Sequence, residues 1–228
     1  HALIYYFCIM FTLSEENYLK AILSINLETN SVVSTNEIAN ILETSAASVT
    51  EMMKKLQDKN LVIYEKYKGV ILSKKGEKYA LEIIRKHRLW ETFLVNKLDF
   101  SWSEVHDVAE ELEHIKSDEL IDKLDCYLNY PKFDPHGEPI PTKNGIIYPT
   151  KRISLSEMEI NCEGIIMGVS LDDKEFLDYL TKLKISIGTK VKAIERIKFD
   201  QSMKIQIDST LENISENVSK NILIKIIK

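Results

Sequence analysis

Cysteine is scarce in this 228-residue sequence. The three present, Cys8, Cys126 and Cys162, are scattered and cannot all pair. With no CxxC among them, a disulfide scaffold is excluded and a reducing cytosol is expected. Glycine (7) and proline (5) are too few for long disordered tracts. Positive charge is not in excess: 30 basic residues face 35 acidic ones, for a formal net charge of -5. The chain as a whole is not a polycation, so any nucleic-acid binding must come from a local basic patch. Long apolar runs are also missing. The first eleven residues, His1 to Phe11, are too short to span a bilayer and lack the basic start and small-residue cleavage site of a signal peptide. Met10 reads as a plausible native start, with an added or upstream-translated remnant before it. No membrane partner and a cytoplasmic location are therefore expected. What remains, 44% hydrophobic and 29% charged, is globular composition for one to three domains.

The richest chemistry lies between His87 and His114. His87 and Glu91 are four apart, as are His106 and Glu110, and Glu113 and His114 follow three and four later. Residues three or four apart share a helix face. Two helices thus offer imidazole nitrogen and carboxylate oxygen with no thiolate, a donor set suited to Mn(II), Fe(II), Zn(II), Co(II) or Ni(II). From Asp99 to Asp125 there are ten acids and two lysines. Such charge density repels itself unless it is solvated or neutralised by a cation.

Upstream, Thr12 or Ser14 can cap a first helix with Tyr18, Leu19, Ile22, Leu23 and Ile25 on its apolar positions. Ser34 or Thr35, with Glu37 following, starts a second. A third runs from about 45 to 59, with Val49, Met52, Met53 and Leu56 inward and Ser45, Ser48, Thr50, Glu51, Lys54 and Lys55 outward. Two β-prone runs around Glu65-Lys66-Tyr67-Lys68-Gly69 read as a hairpin. Helix, short turn, helix and a lysine-tipped hairpin make a winged helix-turn-helix. Eight lysines face four acids between Thr50 and Lys78, so the basic patch is local. In this reading Ser45, Ala47, Ser48, Thr50 and Glu51 face base edges, while Lys54, Lys55, Lys66 and Lys68 reach phosphates.

Ser73-Lys74-Lys75-Gly76-Glu77 is expected as a linker into a long helix. Ser101 or Ser103 is expected to cap the helix that follows. Trp90, Phe93 and Leu94 are candidates for an exposed dimerisation surface. Pro131 to Pro149 reads as a connector. His136 and Glu138 within it could bind metal, but turn chemistry accounts better for Asp134-Pro135-His136-Gly137-Glu138-Pro139. From about Ile153, short strands and one helix near 171–180 suggest a small SH3-like barrel. The fold class is mainly α with a small β domain.

Glu37-Ile38-Ala39, Ser48-Val49-Thr50, Arg85-Lys86-His87-Arg88-Leu89, Val105-His106-Asp107, Glu110-Glu111-Leu112-Glu113-His114 and Gly137-Glu138-Pro139-Ile140-Pro141 together resemble the diphtheria-toxin-repressor family of iron- and manganese-dependent regulators. The resemblance covers residues 12 to about 142, and the rest resembles the ferrous-transport-type domain of its longer members. It implies a winged helix over 10–74, a metal-binding and dimerisation domain over 75–142, a linker over 143–152 and an SH3-like domain over 153–228. It also implies two metal sites per subunit for Mn(II) or Fe(II). One would use Glu110, Glu113 and His114 with Asn17 or its neighbour Glu16; the other would use His87, Glu91 and His106. Asp172 and Glu175 sit where longer members supply two further ligands. Glu110 stands where iron-responsive members place a cysteine and so resembles the manganese-responsive ones. Asn17 stands where those have an Asp, and Lys20 where some have a Glu.

The expected function is metal-dependent repression by a homodimer on palindromic operator DNA, serving metal homeostasis. A metal-independent winged-helix regulator is one rival. A metal-dependent hydrolase is another, since Glu110-x-x-Glu113-His114 partly matches the inverted pattern His-x-x-Glu-His. No separate general base is evident for it.

Overall fold

A computed structural model describes residues 11–148, 152–171 and 173–227. The expectations for Met10 and Asp172 lie outside that range. The chain divides into two compact units, one ending at Arg85 and regaining residues 143–145, the other holding the remainder.

The first unit opens with α1 (Leu13–Thr29), α2 (Thr35–Ile41) and α3 (Ala46–Asp58). Capping boxes start α1 and α2: Thr12 pairs with Glu15, and Ser34 with Glu37. The Ser45 hydroxyl accepts the Ser48 N–H to cap α3. Strands β1 (Val62–Glu65) and β2 (Gly69–Leu72) form the antiparallel wing, and Val33 pairs with Val70 beside it. The core gathers the expected apolar positions, including Leu19, Ile22, Ile38, Val49, Met53 and Leu56. Glu15 is buried and takes the Lys59 ammonium at 2.5 Å, tying the start of α1 to the end of α3.

The long helix is α4 (Lys74–Leu98), 25 residues. Lys74 to Glu77 is its first turn rather than a linker, because the Ser73 hydroxyl accepts the Gly76 N–H at 3.0 Å and caps it. From Lys86 onward α4 belongs to the second unit.

There it packs with α5 (Val105–Leu112) and α6 (Asp118–Tyr127). Leu89, Ile121, Leu124 and Ile140 form one small core, and Leu94, Val105 and Ala109 another. Leu94 is therefore interior at 3% exposure, not part of an exposed surface, and Trp90 and Phe93 are half-buried against these cores. Ser117 caps α6, but no side chain caps α5.

The connector is more ordered than its turn composition suggests. Asp134 Oδ1 accepts the N–H groups of His136 (2.8 Å) and Glu138 (2.9 Å), and Phe133 bridges Pro139. Arg88 binds the Pro139 carbonyl and Glu138, and Arg152 binds the Gly137 carbonyl.

The C-terminal part holds β3 (Ile153–Ser154), β4 (Glu163–Val169), α7 (Lys174–Lys182), β5 (Lys190–Arg196), β6 (Met203–Ile207), β7 (Thr210–Ile214), α8 (Glu216–Asn221) and β8 (Ile222–Ile227). Its strands run antiparallel in the order β3-β8-β4-β5-β6-β7 over a core that includes Leu155, Ile166, Leu177, Ile205 and Ile224. Gly137 and Gly168 meet where the connector lies on β4. A Cβ on Gly137 would fall 1.9 Å from the Met167 carbonyl oxygen, and one on Gly168 would fall 2.5 Å from that of His136. No described helix is long and apolar enough to cross a membrane.

Candidate metal centre and DNA-facing surface

Helix α3 is amphipathic because its apolar residues recur at helical spacing. Burying Val49, Met53 and Leu56 turns Ser45, Ala47, Ser48, Glu51, Lys54 and Lys55 to solvent. Thr50 is half-buried, and its hydroxyl donates back to the Ala46 carbonyl at 2.8 Å. On the wing, Lys66 and Lys68 are exposed. Lys68 pairs with Glu65 at 2.6 Å, and the Lys66 ammonium lies 4.9 Å from the Tyr67 ring centre.

In the second unit, two buried residues one turn apart on α4 begin the candidate metal centre. His87 Nε2 stands 3.0 Å from Glu91 Oε1, while its Nδ1 stands 2.6 Å from Glu113 Oε2. His106, on the first turn of α5, places Nδ1 3.5 Å from the same Glu91 oxygen and Nε2 3.6 Å from Glu110 Oε1. His114 Nε2 lies 3.9 Å from Glu113 Oε1. Ligand atoms of His87, Glu91 and His106 all fall within 4.8 Å of one another. Bonds of about 2.0–2.2 Å from one ion to N and O donors call for convergence on this scale.

Glu91, Asp134 and His136 converge to the same tolerance, and all three are buried. Turn composition accounts for the sequence of this stretch and does not by itself single out Asp134 and His136. Only the packing of the connector against α4 reveals that His136 Nδ1 reaches within 3.6 Å of Glu91 Oε1. Its Nε2 lies 2.7 Å from the Trp102 carbonyl oxygen. A carbonyl only accepts, so Nε2 carries the proton. Nδ1 then faces the Glu91 carboxylate, a contact that needs either a proton on Nδ1 or a cation between the two groups.

Burial is the largest single influence on the Glu91 carboxyl and pushes its pKa up. Hydrogen bonds with His106, His136 and His87 outweigh it and hold the group well below the usual carboxylate range. Asp134 goes the other way. Burial, then the Glu91 charge, push it up to about 7 against Arg88, His136 and the Glu138 N–H. A charged carboxylate at 2% exposure, faced by three imidazoles, is a donor set that fits a divalent cation.

The remaining expected ligands are placed differently. Glu110 and Glu113 face different imidazoles, and Glu110, Glu113 and His114 do not form a third such cluster among the described residues. Asn17, within the first unit, has a buried Oδ1 with no hydrogen-bond partner among the described residues. Glu175 is exposed on the first turn of α7 and joins neither cluster.

Residues 10–70 match "Iron dependent repressor, N-terminal DNA binding domain", and residues 73–142 match "Iron dependent repressor, metal binding and dimerisation domain". Residues 153–226 match the FeoA domain. A "Probable metal transport system membrane protein" of Chlamydia trachomatis is 47% identical over 72 residues, 32% of this chain and 16% of that much longer protein. The HTH-type transcriptional regulator MntR of Listeria monocytogenes is 32% identical over 131 residues, covering 58% of this chain and 89% of its own. A manganese-dependent transcriptional repressor, solved in complex with manganese, superposes with a TM-score of 0.83 at 32% identity, covering 93% of this chain and all (100%) of that one. With its winged helix, its helical domain and its C-terminal sheet domain each matched in order, the chain belongs to the iron-dependent repressor family.

Proposed function

We propose that the chain is a metal-dependent DNA-binding transcriptional repressor, acting as a cytoplasmic homodimer in metal homeostasis with Mn(II) or Fe(II) as corepressor. The carrying observation is the charged Glu91 carboxylate, at 2% exposure, within 3.6 Å of His87, His106 and His136. The relatives' printed names, which include iron- and manganese-responsive regulators, support the same reading.

His87, Glu91 and His106 would hold one ion, with Asp134 and His136 as further donors around Glu91. Glu110, Glu113, His114 and Asn17 are proposed as donors for a second. Carboxylate and amide oxygen in place of thiolate favour a hard ion such as Mn(II) over softer competitors. A bound ion supplies positive charge that the clustered carboxylates otherwise lack. In this reading His87 and Glu91 keep their places on α4, and His106 is drawn to them from α5. Ser45, Ala47, Ser48, Thr50 and Glu51 present donors and acceptors to base edges, and Lys54, Lys55, Lys66 and Lys68 meet phosphates. A homodimer would set two such helices on half-sites of a palindrome about 34 Å apart. A roughly 100-fold switch needs the DNA-competent state to bind metal about 2.7 kcal/mol more tightly than its alternative.

The test is affinity for an operator selected from random DNA, measured in chelator and then with Mn(II), Fe(II) or Zn(II). A steep rise with metal is expected. Equal binding in chelator would instead identify a metal-independent winged-helix regulator.

A further inference from the structure

Helix α5 carries His106 and Glu110, yet its N-terminus has no side-chain cap. Ser103, one of the two residues expected to cap it, instead donates its hydroxyl to Asp178 Oδ1 on α7, at 2.7 Å. Its neighbour Trp102 donates its indole N–H to Thr181 Oγ1, three residues further along α7, at 2.8 Å. The Trp102 carbonyl accepts from His136 at 2.7 Å, and the two rings lie nearly parallel, 12° apart with centres at 6.2 Å. The His136 carbonyl in turn accepts the Val169 N–H of β4 at 3.0 Å. The turn that leads into α5 is thus fastened to the C-terminal sheet domain by side chains, not by its own cap.

We propose that α7 is a latch: Asp178 and Thr181 hold Ser103 and Trp102, fix the start of α5, and thereby set the metal affinity of the His87–Glu91–His106 site without touching the ion. The proposal rests on the metal-site reading above. His87 and Glu91 are locked by burial on α4, whereas the His106 side chain is 42% exposed and has less packing of its own to hold it. An ion needs all three donors at once. If α5 strays from its docked position for most of the time, apparent affinity falls by the fraction of molecules still competent. Asp178 and Thr181 are therefore positioning residues. Linkage also runs in reverse, so filling the site must tighten α7 against the turn.

The experiment uses the full chain and Mn(II) alone, titrated calorimetrically. The binding step abolished by His106→Ala identifies the site. In the double variant Asp178→Ala/Thr181→Val that step should weaken about tenfold, the order of magnitude expected when two net hydrogen bonds are lost. Thr181→Ser, which keeps the hydroxyl, should retain the wild-type affinity. Hydrogen exchange at α7 amides should slow with Mn(II) in the wild type and not in the double variant. Should the double variant unfold, Thr181→Val alone carries the test, with a smaller loss of affinity expected. Wild-type affinity in these variants, together with α7 exchange indifferent to metal, overturns the latch. If the wild type itself shows no Mn(II) step that depends on His106, the metal-site reading falls and the latch with it.

Discussion

Glu91 keeps its charge at 2% exposure because three imidazole nitrogens face one of its oxygens. Glu91→Gln keeps the shape and removes the charge. It is expected to eliminate at least one equivalent of bound Mn(II) by calorimetry while far-ultraviolet circular dichroism stays native, since an amide cannot replace an anionic donor. Glu15 is a second buried carboxylate, and its pKa sits below the ordinary 4.5: burial acts to raise it, but the bond from Lys59 and the Thr12 N–H prevail. A depressed folded-state pKa contributes stability that is present above the unfolded value and lost as pH falls through the folded one. Glu15→Gln should therefore lower stability by about 1–2 kcal/mol at pH 7, from the lost ion pair and weakened cap. In urea titrations the difference should shrink once pH drops below 4.5 and through the folded-state value. A constant difference down to pH 3 would contradict this account. At this scale the His87–Glu91 pair was legible because helical periodicity aligns residues four apart, whereas the grouping of His106 with them, across two helices, was implied only by the family resemblance. Asp134 and His136 were not legible. Asp, Pro and Gly are turn formers whatever lies beneath them, and only the path of the connector sets His136 against Glu91.

The winged helix was the most legible element, since caps, apolar spacing and a polar five-residue turn are all local signals. Its wing offers a clean measurement. Lys66→Ala and Lys68→Ala should each reduce the slope of log affinity against log salt by about 1, with little change in preferred operator sequence. A large change in sequence preference with an unaltered slope would place these lysines away from phosphate. The start of α4 was less legible. Gly76 suggested a linker, but its lack of a Cβ is what lets the helix lie on the backbone at Leu61, where an added Cβ would stand 1.9 Å from the carbonyl oxygen. In the C-terminal sheet, β7 and α8 escaped notice. β6 and β7 are joined by Asp208 and Ser209 without glycine, Asp208 taking φ 51° itself, and α8 has only 6 residues. Leu94 was misplaced because an apolar residue on a helix does not reveal which neighbour will cover it.

For the whole molecule, metal binding and folding are linked. An ion held only by the native state stabilises it by about 2.7 kcal/mol at a hundredfold excess over Kd. For a chain of 228 residues that corresponds to a rise in Tm of roughly 5–10 °C. Calorimetric scans with Mn(II) and with chelator should show it, and His87→Ala should reduce or abolish it. No change in wild-type Tm would argue against a folded-state site. The order of parts, winged helix, helical metal domain and small sheet domain, could be read from the chain because each has its own periodicity. What periodicity cannot convey is how the later parts grip one another, since Trp102 and Thr181 are 79 residues apart.

The contact between Gly137 and Gly168 bears on how such chains can be recombined. There the residue after the buried His136 lies on β4 with room on either side for hydrogen alone. A sheet domain transplanted from another protein would have to bring glycine to that one strand position, and its new host would have to offer glycine opposite. Chimeras that ignore the pair would lose the seating of His136, even with every side chain of the proposed metal site retained.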